Sequence, residues 1–286
     1  MRYGISVNYH LWPYCNYRCQ YCFATFEDIA KQNKEKRFLP KEEALALIKI
    51  LADAGYKKIT FAGGEPTLYP WISELIMCAK ISGLKTMIVT NGSRLNDDFL
   101  SKNKPYLDWI AVSIDSISQT TNKGIGRCGP CSNPWGEIEY LALVEKIKFY
   151  GYRLKINTVV SAANYNEDMT AFINKAKPER WKILQTLPVV GQNDVKVDPF
   201  LIGAEQFRYF LSLNANLLPG IIPVPEPCDA ITGSYLMIDP IGRFFDDTKG
   251  THTYSSEILH VGLAKALSEI SFDFQKYLDR GADYEF

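Results

Sequence analysis

The chain has no net charge, since 32 Lys and Arg balance 32 Asp and Glu. No global field draws it to nucleic acid or to a membrane surface, so any anion it binds must be held by a local cluster of cations. No stretch reaches the roughly 18 consecutive apolar residues of a membrane span. The opening MRYGISVNYH lacks the apolar run of a signal peptide. A cytoplasmic protein with no membrane and no nucleic-acid partner is expected. Low-complexity tracts are absent, as are repeats beyond a strand–helix alternation. In a cytoplasmic setting the seven cysteines are free, metal-binding or catalytic rather than disulfide-bonded.

What is present is enough apolar residue, 47% of 286, for a sizeable core. Strand-like runs occur at YGISVNY, KITFA, LKTMIVT, DWIAVSID, RLKINTVV and RWKILQTLPV. Helical patterns lie between them. In PKEEALALIKILADAGY, Leu45, Ile48 and Leu51 recur near the helical period, with Pro40 at the start and Gly55 at the end. WISELIMCAKISG and NPWGEIEYLALVEKIKFYG repeat the design. Six strand–helix units imply an α/β fold of parallel strands with right-handed crossovers. Periodicity leaves a partial barrel and a doubly wound sheet both open, and in either the ligands belong at the carboxyl ends of the strands. The alternation stops after Asn214. LLPGIIPVPEPCDAITG reads as a loop, SYLMIDPIGRFFDD as a hairpin and SSEILHVGLAKALSEI as helix. The expected organisation is a barrel over residues 1–214 and an extension over 215–286 that closes one side.

Cys15, Cys19 and Cys22 lie in HLWPYCNYRCQYCFATF. Zinc, with His10 as fourth ligand, is one reading. An iron–sulfur cluster is the other, because three thiolates on a four-iron cluster leave one iron open to a small molecule. Spacing alone does not separate them. The strand Lys57 to Phe61 then runs into Gly63, Gly64, Glu65 and Pro66. Paired glycines allow close backbone approach, and Glu65 offers a carboxylate to a positive group such as an α-amine.

The cysteine spacing followed by GGEP resembles the radical S-adenosylmethionine (SAM) superfamily. That resemblance implies a six-unit partial barrel, a 4Fe–4S cluster on Cys15, Cys19 and Cys22, and SAM bound at the open iron. Further segments, VNYHLWPYCNYRCQYCF, VTNGS, AVSIDS, IGRCG, LKINTVV, NEDMT, RWKILQ and SYLMIDPIGRF, are similar to the viperin family in the same order. Viperins are nucleotide dehydratases that convert a nucleoside triphosphate (CTP, UTP or GTP) into its 3′-deoxy-3′,4′-didehydro analogue, an antiviral chain terminator. The resemblance implies that Gly63, Gly64, Glu65, Asn91, Ser113 and Arg127 hold SAM. It assigns Asn8, Lys155, Asn157, Arg180, Lys182 and Lys249 to the triphosphate, and Tyr235 to quenching of the substrate radical.

Residue chemistry agrees in part. Arg180 and Lys182 are two apart, so on a strand they share one face, and cations that interrupt apolar strands suit a polyphosphate. CTP is the expected substrate, a flavodoxin or ferredoxin the expected electron donor, and the chain is expected to act as a monomer. Cys128 and Cys131 depart from the animal members and are read as ordinary thiols rather than half of a second metal site. The animal N-terminal amphipathic helix and Trp-ended tail are missing, so a membrane tether is not expected and cluster delivery must differ. Two rival readings are a GTP cyclase of the molybdopterin type and a metal-binding module without catalysis. The former carries a second cysteine motif where this chain has Cys228 alone. GGEP and the barrel pattern oppose the latter.

Overall fold

The computed structural model describes residues 5–32 and 37–280, and the terminal DYEF lies outside them. Seven strands follow one another in parallel: β1 (Ser6–His10), β2 (Lys58–Ala62), β3 (Lys85–Thr90), β4 (Trp109–Ser113), β5 (Arg153–Val160), β6 (Arg180–Gln185) and β7 (Ile222–Glu226). Between them run α1 (Glu27–Gln32), α2 (Lys41–Asp53), α3 (Ile72–Ile81), α4 (Asp97–Asn103), α5 (Gln119–Gly124), α6 (Glu137–Phe149), α7 (Thr170–Ala176) and α8 (Ala204–Leu213). Sequential neighbours joined by helices give the partial α/β barrel that the alternation predicts.

Each helix buries one stripe against the outer face of the sheet. On α2, Ala44, Leu47, Ile48 and Leu51 are buried at helical spacing, behind Pro40 and an acidic first turn that suits the helix dipole. The strands alternate. On β5, Leu154, Ile156 and Val160 join the helix-side core, while Lys155, Asn157 and Val159 face the barrel interior. Trp181 and Ile183 do the same on β6 and leave Arg180 and Lys182 inside.

The extension differs from its sequence reading in two places. Part of LLPGIIPVPEPCDAITG is the strand β7, paired with β6, and not a loop. Pro223 and Pro225 are tolerated because β7 is an edge strand, where a missing N–H breaks no second ladder. In SSEILHVGLAKALSEI the first residues end a strand, and only Ile258–Val261 and Leu263–Leu267 are helical. The expected hairpin forms β8 (Met237–Ile238) and β9 (Arg243–Asp246), joined by β10 (Thr253–Glu257), and β8 pairs in parallel with β1. The extension thus lengthens the same sheet on its β1 edge. Its last helix, Phe274–Asp279, pins the start of β1: the Ser6 N–H donates to the Tyr277 hydroxyl at 3.0 Å.

Candidate functional site

The cysteine loop leaves the carboxyl end of β1 and is bracketed on two sides by backbone. On one side the Gly64 N–H donates to Trp12 O and the Glu65 N–H to Tyr14 O, both at 2.8 Å. On the other, the Arg18 N–H donates to Gly126 O at 3.1 Å and the Gln20 N–H to Ile125 O at 3.0 Å. Both brackets need glycine. A methyl on Gly64 would lie 2.0 Å from Tyr14 O, and one on Gly126, whose φ is +76°, 2.2 Å from Arg18 O. The close approach expected of GGEP is therefore made to the cysteine loop itself.

Backbone and side-chain N–H groups are directed at the sulfurs. The Tyr17 N–H lies 3.3 Å from Cys15 Sγ and Asn91 Nδ2 lies 3.9 Å from it. Burial pushes the Cys15 thiol up to about 11, that of Cys19 up to about 12, and that of Cys22 up as well. Thiolates form there when a cationic group is present to hold them. Among the described residues no three His, Cys, Asp or Glu side chains converge on a single-ion site. A cluster does not need them to converge, because each of its irons takes its own sulfur. His10 is not placed as a fourth ligand. It packs edge-on against Phe23, Phe26 and Phe245, and burial pushes its imidazole down to about 3. The three thiols and their N–H partners fit an iron–sulfur cluster better than zinc.

Glu65 and Arg127 tie the brackets to the strand ends. Glu65 is buried and accepts from Thr67 N at 3.1 Å, Thr90 Oγ1 at 2.6 Å and Asn91 N at 2.8 Å, which joins the end of β2 to the end of β3. Asn91 continues the link, donating to Asn16 Oδ1 at 2.9 Å in the cysteine loop. Arg127 Nε donates to the buried Asp115 at 2.5 Å, and Asp115 also accepts from Tyr21 Oη at 2.5 Å and from the Val159 N–H. Burial opposes the charge on Arg127, but Asp115 offsets it and holds the guanidinium well above its ordinary value. Its Nη1 reaches the Ser113 carbonyl at 3.3 Å, which places Ser113 and Arg127 together at the end of β4.

Below this rim the interior is cationic. Lys155 stands beside Arg180 and Asn157 beside Lys182 in the β5–β6 register, and Ser113 is the β4 neighbour of Asn157. Asn157 Oδ1 is buried without a partner, and Asn8 occupies the matching inward position of β1. Burial, then the neighbouring cations, drive Lys58 and Lys155 well below the usual lysine range. Lys182 is pushed down to about 8, chiefly by burial. The sequence reading missed three members of this group. Lys58 opens β2, Arg280 comes from the far end of the extension, and Glu226 ends β7 at 2.8 Å from Lys182. A lysine opening an apolar strand was a usable signal, whereas nothing local marked Arg280. Tyr235 donates its hydroxyl to Glu226 and is contacted by Lys182. Lys249 stays exposed in the turn between β9 and β10, with no contact to this group. Cys128 is partly exposed and Cys131 exposed, in a loop just after Arg127.

Residues 9–176 match the model of the Radical SAM superfamily. The chain is 52% identical to an S-adenosylmethionine-dependent nucleotide dehydratase of Lacinutrix mariniflava, over 98% of this chain and 58% of that one. It is 49% identical to one of Flammeovirga pacifica, over 98% and 95%. The nucleotide dehydratase RSAD2 of Danio rerio is 34% identical, over 98% and 77%. Among solved structures, Streptococcus suis SuiB bound to S-adenosylmethionine superposes with a TM-score of 0.65 at 16% identity, over 85% of this chain and 60% of that one. The enzyme anSMEcpe with bound AdoMet does so with a TM-score of 0.65 at 14% identity, over 96% and 82%. These two are likenesses of fold.

Proposed function

The chain belongs to the radical SAM superfamily and, within it, to the SAM-dependent nucleotide dehydratases, and from that premise we propose that it dehydrates the ribose of a nucleoside triphosphate, CTP before UTP or GTP, to the 3′-deoxy-3′,4′-didehydro analogue, an antiviral chain terminator. The observation that carries this reading is the buried cation group beneath a cysteine-bearing rim. A polyphosphate of about four negative charges needs several converging cations, and a neutral chain supplies them only locally.

When bound, the cluster on Cys15, Cys19 and Cys22 and its SAM supply the electron and the radical that abstracts hydrogen. The protein's own residues bind, orient and deliver protons. Gly63, Gly64, Glu65, Asn91, Ser113 and Arg127 line the strand ends nearest the cysteine loop and suit SAM's amino, carboxylate and adenosine groups. Lys155, Arg180 and Lys182, with Asn8, Asn157 and the newly found Lys58 and Arg280, anchor the triphosphate in the interior. That anchoring directs the ribose toward the rim. Lys249 joins them only by a movement of its turn. Tyr235 is placed to pass a proton toward substrate. A flavodoxin or ferredoxin as donor, a monomeric state and a cytoplasmic location complete the proposal. No helix among the described residues is long and apolar enough to cross a membrane.

The test is anaerobic turnover with CTP, UTP, GTP and ATP, read by mass. Loss of one water from one triphosphate, with 5′-deoxyadenosine formed alongside, is expected. Deoxyadenosine with no dehydrated nucleotide from any of the four would overturn the assignment.

A further inference from the structure

Glu226 is a carboxylate in a pocket read as holding phosphates. It is 1% exposed, at the last position of β7. It stands 2.8 Å from Lys182 Nζ and 3.6 Å from Arg280 Nη1, and it accepts the Tyr235 hydroxyl. Its partners also hold one another. The Lys182 ammonium lies 4.4 Å from the centre of the Tyr235 ring, and the Arg280 guanidinium 3.7 Å from it on a cation–π contact. Arg280 donates to the Ser234 carbonyl at 3.1 Å and 3.2 Å. Glu226 is thus the anion around which a lysine from β6, an arginine from the last helix and a tyrosine from the extension meet.

An anion here has two opposing effects. Lys155, Arg180, Lys182 and Arg280 act on one another as like charges, and Glu226 is the carboxylate that acts on Lys155 and Lys182. Without it the cations would repel across a dry interior, where Coulomb terms are large. With it, an arriving triphosphate meets a negative charge already in contact with two of its cations, and like charges in a pocket weaken binding. A ligand-binding acid would face solvent or substrate. Glu226 instead faces the binding cations themselves.

We infer that Glu226 is an internal counter-charge: it positions Lys182, Arg280 and Tyr235 in the empty enzyme and lowers the affinity for the triphosphate that replaces it as their anion. This rests on the reading of the pocket as a triphosphate site. The pocket keeps a defined shape before substrate arrives, and substrate is held less tightly than the cations alone would hold it.

Calorimetry on the cluster-loaded protein with SAM, without reductant so that nothing turns over, tests this with CTP and with inorganic triphosphate as probes. Glu226→Gln keeps the size and the hydrogen-bonding capacity but removes the charge. It is expected to bind both probes more tightly, by roughly tenfold. Glu226→Asp keeps the charge and should bind near the parent value. A merely structural ion pair would give the opposite sign, since losing it loosens the site. Equal or weaker binding by the Gln variant, with its cluster content at the parent level, overturns the inference. If the parent itself binds neither probe, it is the triphosphate reading that fails.

Discussion

Gly64 and Tyr14 are packed so closely that a single added methyl at Gly64 would stand 2.0 Å from the Tyr14 carbonyl oxygen and 2.9 Å from the Cys15 nitrogen. Cβ contacts this short with backbone are not made, so the cysteine loop would have to move. Gly64→Ala is expected to fold, because the barrel core lies on the other face, yet to lose most of its bound iron after reconstitution. Iron and sulfide content against circular dichroism is the check. A variant with the parent's iron content would show that the bracket does not set the loop.

Lys182→Ala removes a buried ammonium at the centre of the cation group. A charge-assisted contact is worth about 1.5–3 kcal/mol, or a roughly ten- to hundredfold loss of triphosphate affinity. Lys249→Ala, at its exposed turn, is expected to lose less. Titration with CTP in the absence of reductant ranks the two, and unchanged binding by Lys182→Ala would remove it from the cradle.

Triphosphate affinity should fall as pH rises above about 8. Lys182 in the empty protein is pushed down to about 8, mainly by burial, and Lys58 and Lys155 lie well below the lysine range. A phosphate stabilises the charged form and raises these values again, so binding takes up protons wherever the empty site has lost them. Calorimetry in buffers of different ionisation enthalpy measures the uptake directly. Zero uptake between pH 8 and pH 9, estimated from the about one-unit width of a titration, would mean that these lysines do not meet phosphate.

Tyr235→Phe keeps the ring between Lys182 and Arg280 and removes only the hydroxyl. Cluster loading, SAM binding and triphosphate binding should stay near parent values. Dehydrated product per 5′-deoxyadenosine should drop well below the parent ratio, because a phenol can deliver a proton and an electron where a phenyl ring cannot. An unchanged ratio at the parent rate would make Tyr235 a pocket wall.

Cys128 and Cys131 follow Arg127 but make no part of the bracket, which ends at Gly126. The double Ser variant should keep both iron content and turnover under reducing conditions. A reproducible loss of metal would show a second site.

The sequence by itself determined the six parallel strands, their helices and the cysteine loop. Those features are local: a period of two or 3.6, a terminal glycine, three thiols within eight residues. It also pointed to Lys155, Arg180 and Lys182, because a cation that interrupts an apolar strand is visible in one dimension. Only the tertiary structure decided what those cations face. Glu226 lies in a proline-rich run that reads as a loop, and its strand exists because β6 offers an edge to pair with. Arg280 is about a hundred residues from Lys182 along the chain, a span that no local pattern crosses. The glycines of GGEP and IGRCG carry no side chain to signal a partner, and their role appears only where the fold brings the Tyr14 and Arg18 carbonyls against them. Periodicity records which face of an element is apolar, whereas the contents of the barrel interior depend on how distant elements close around it.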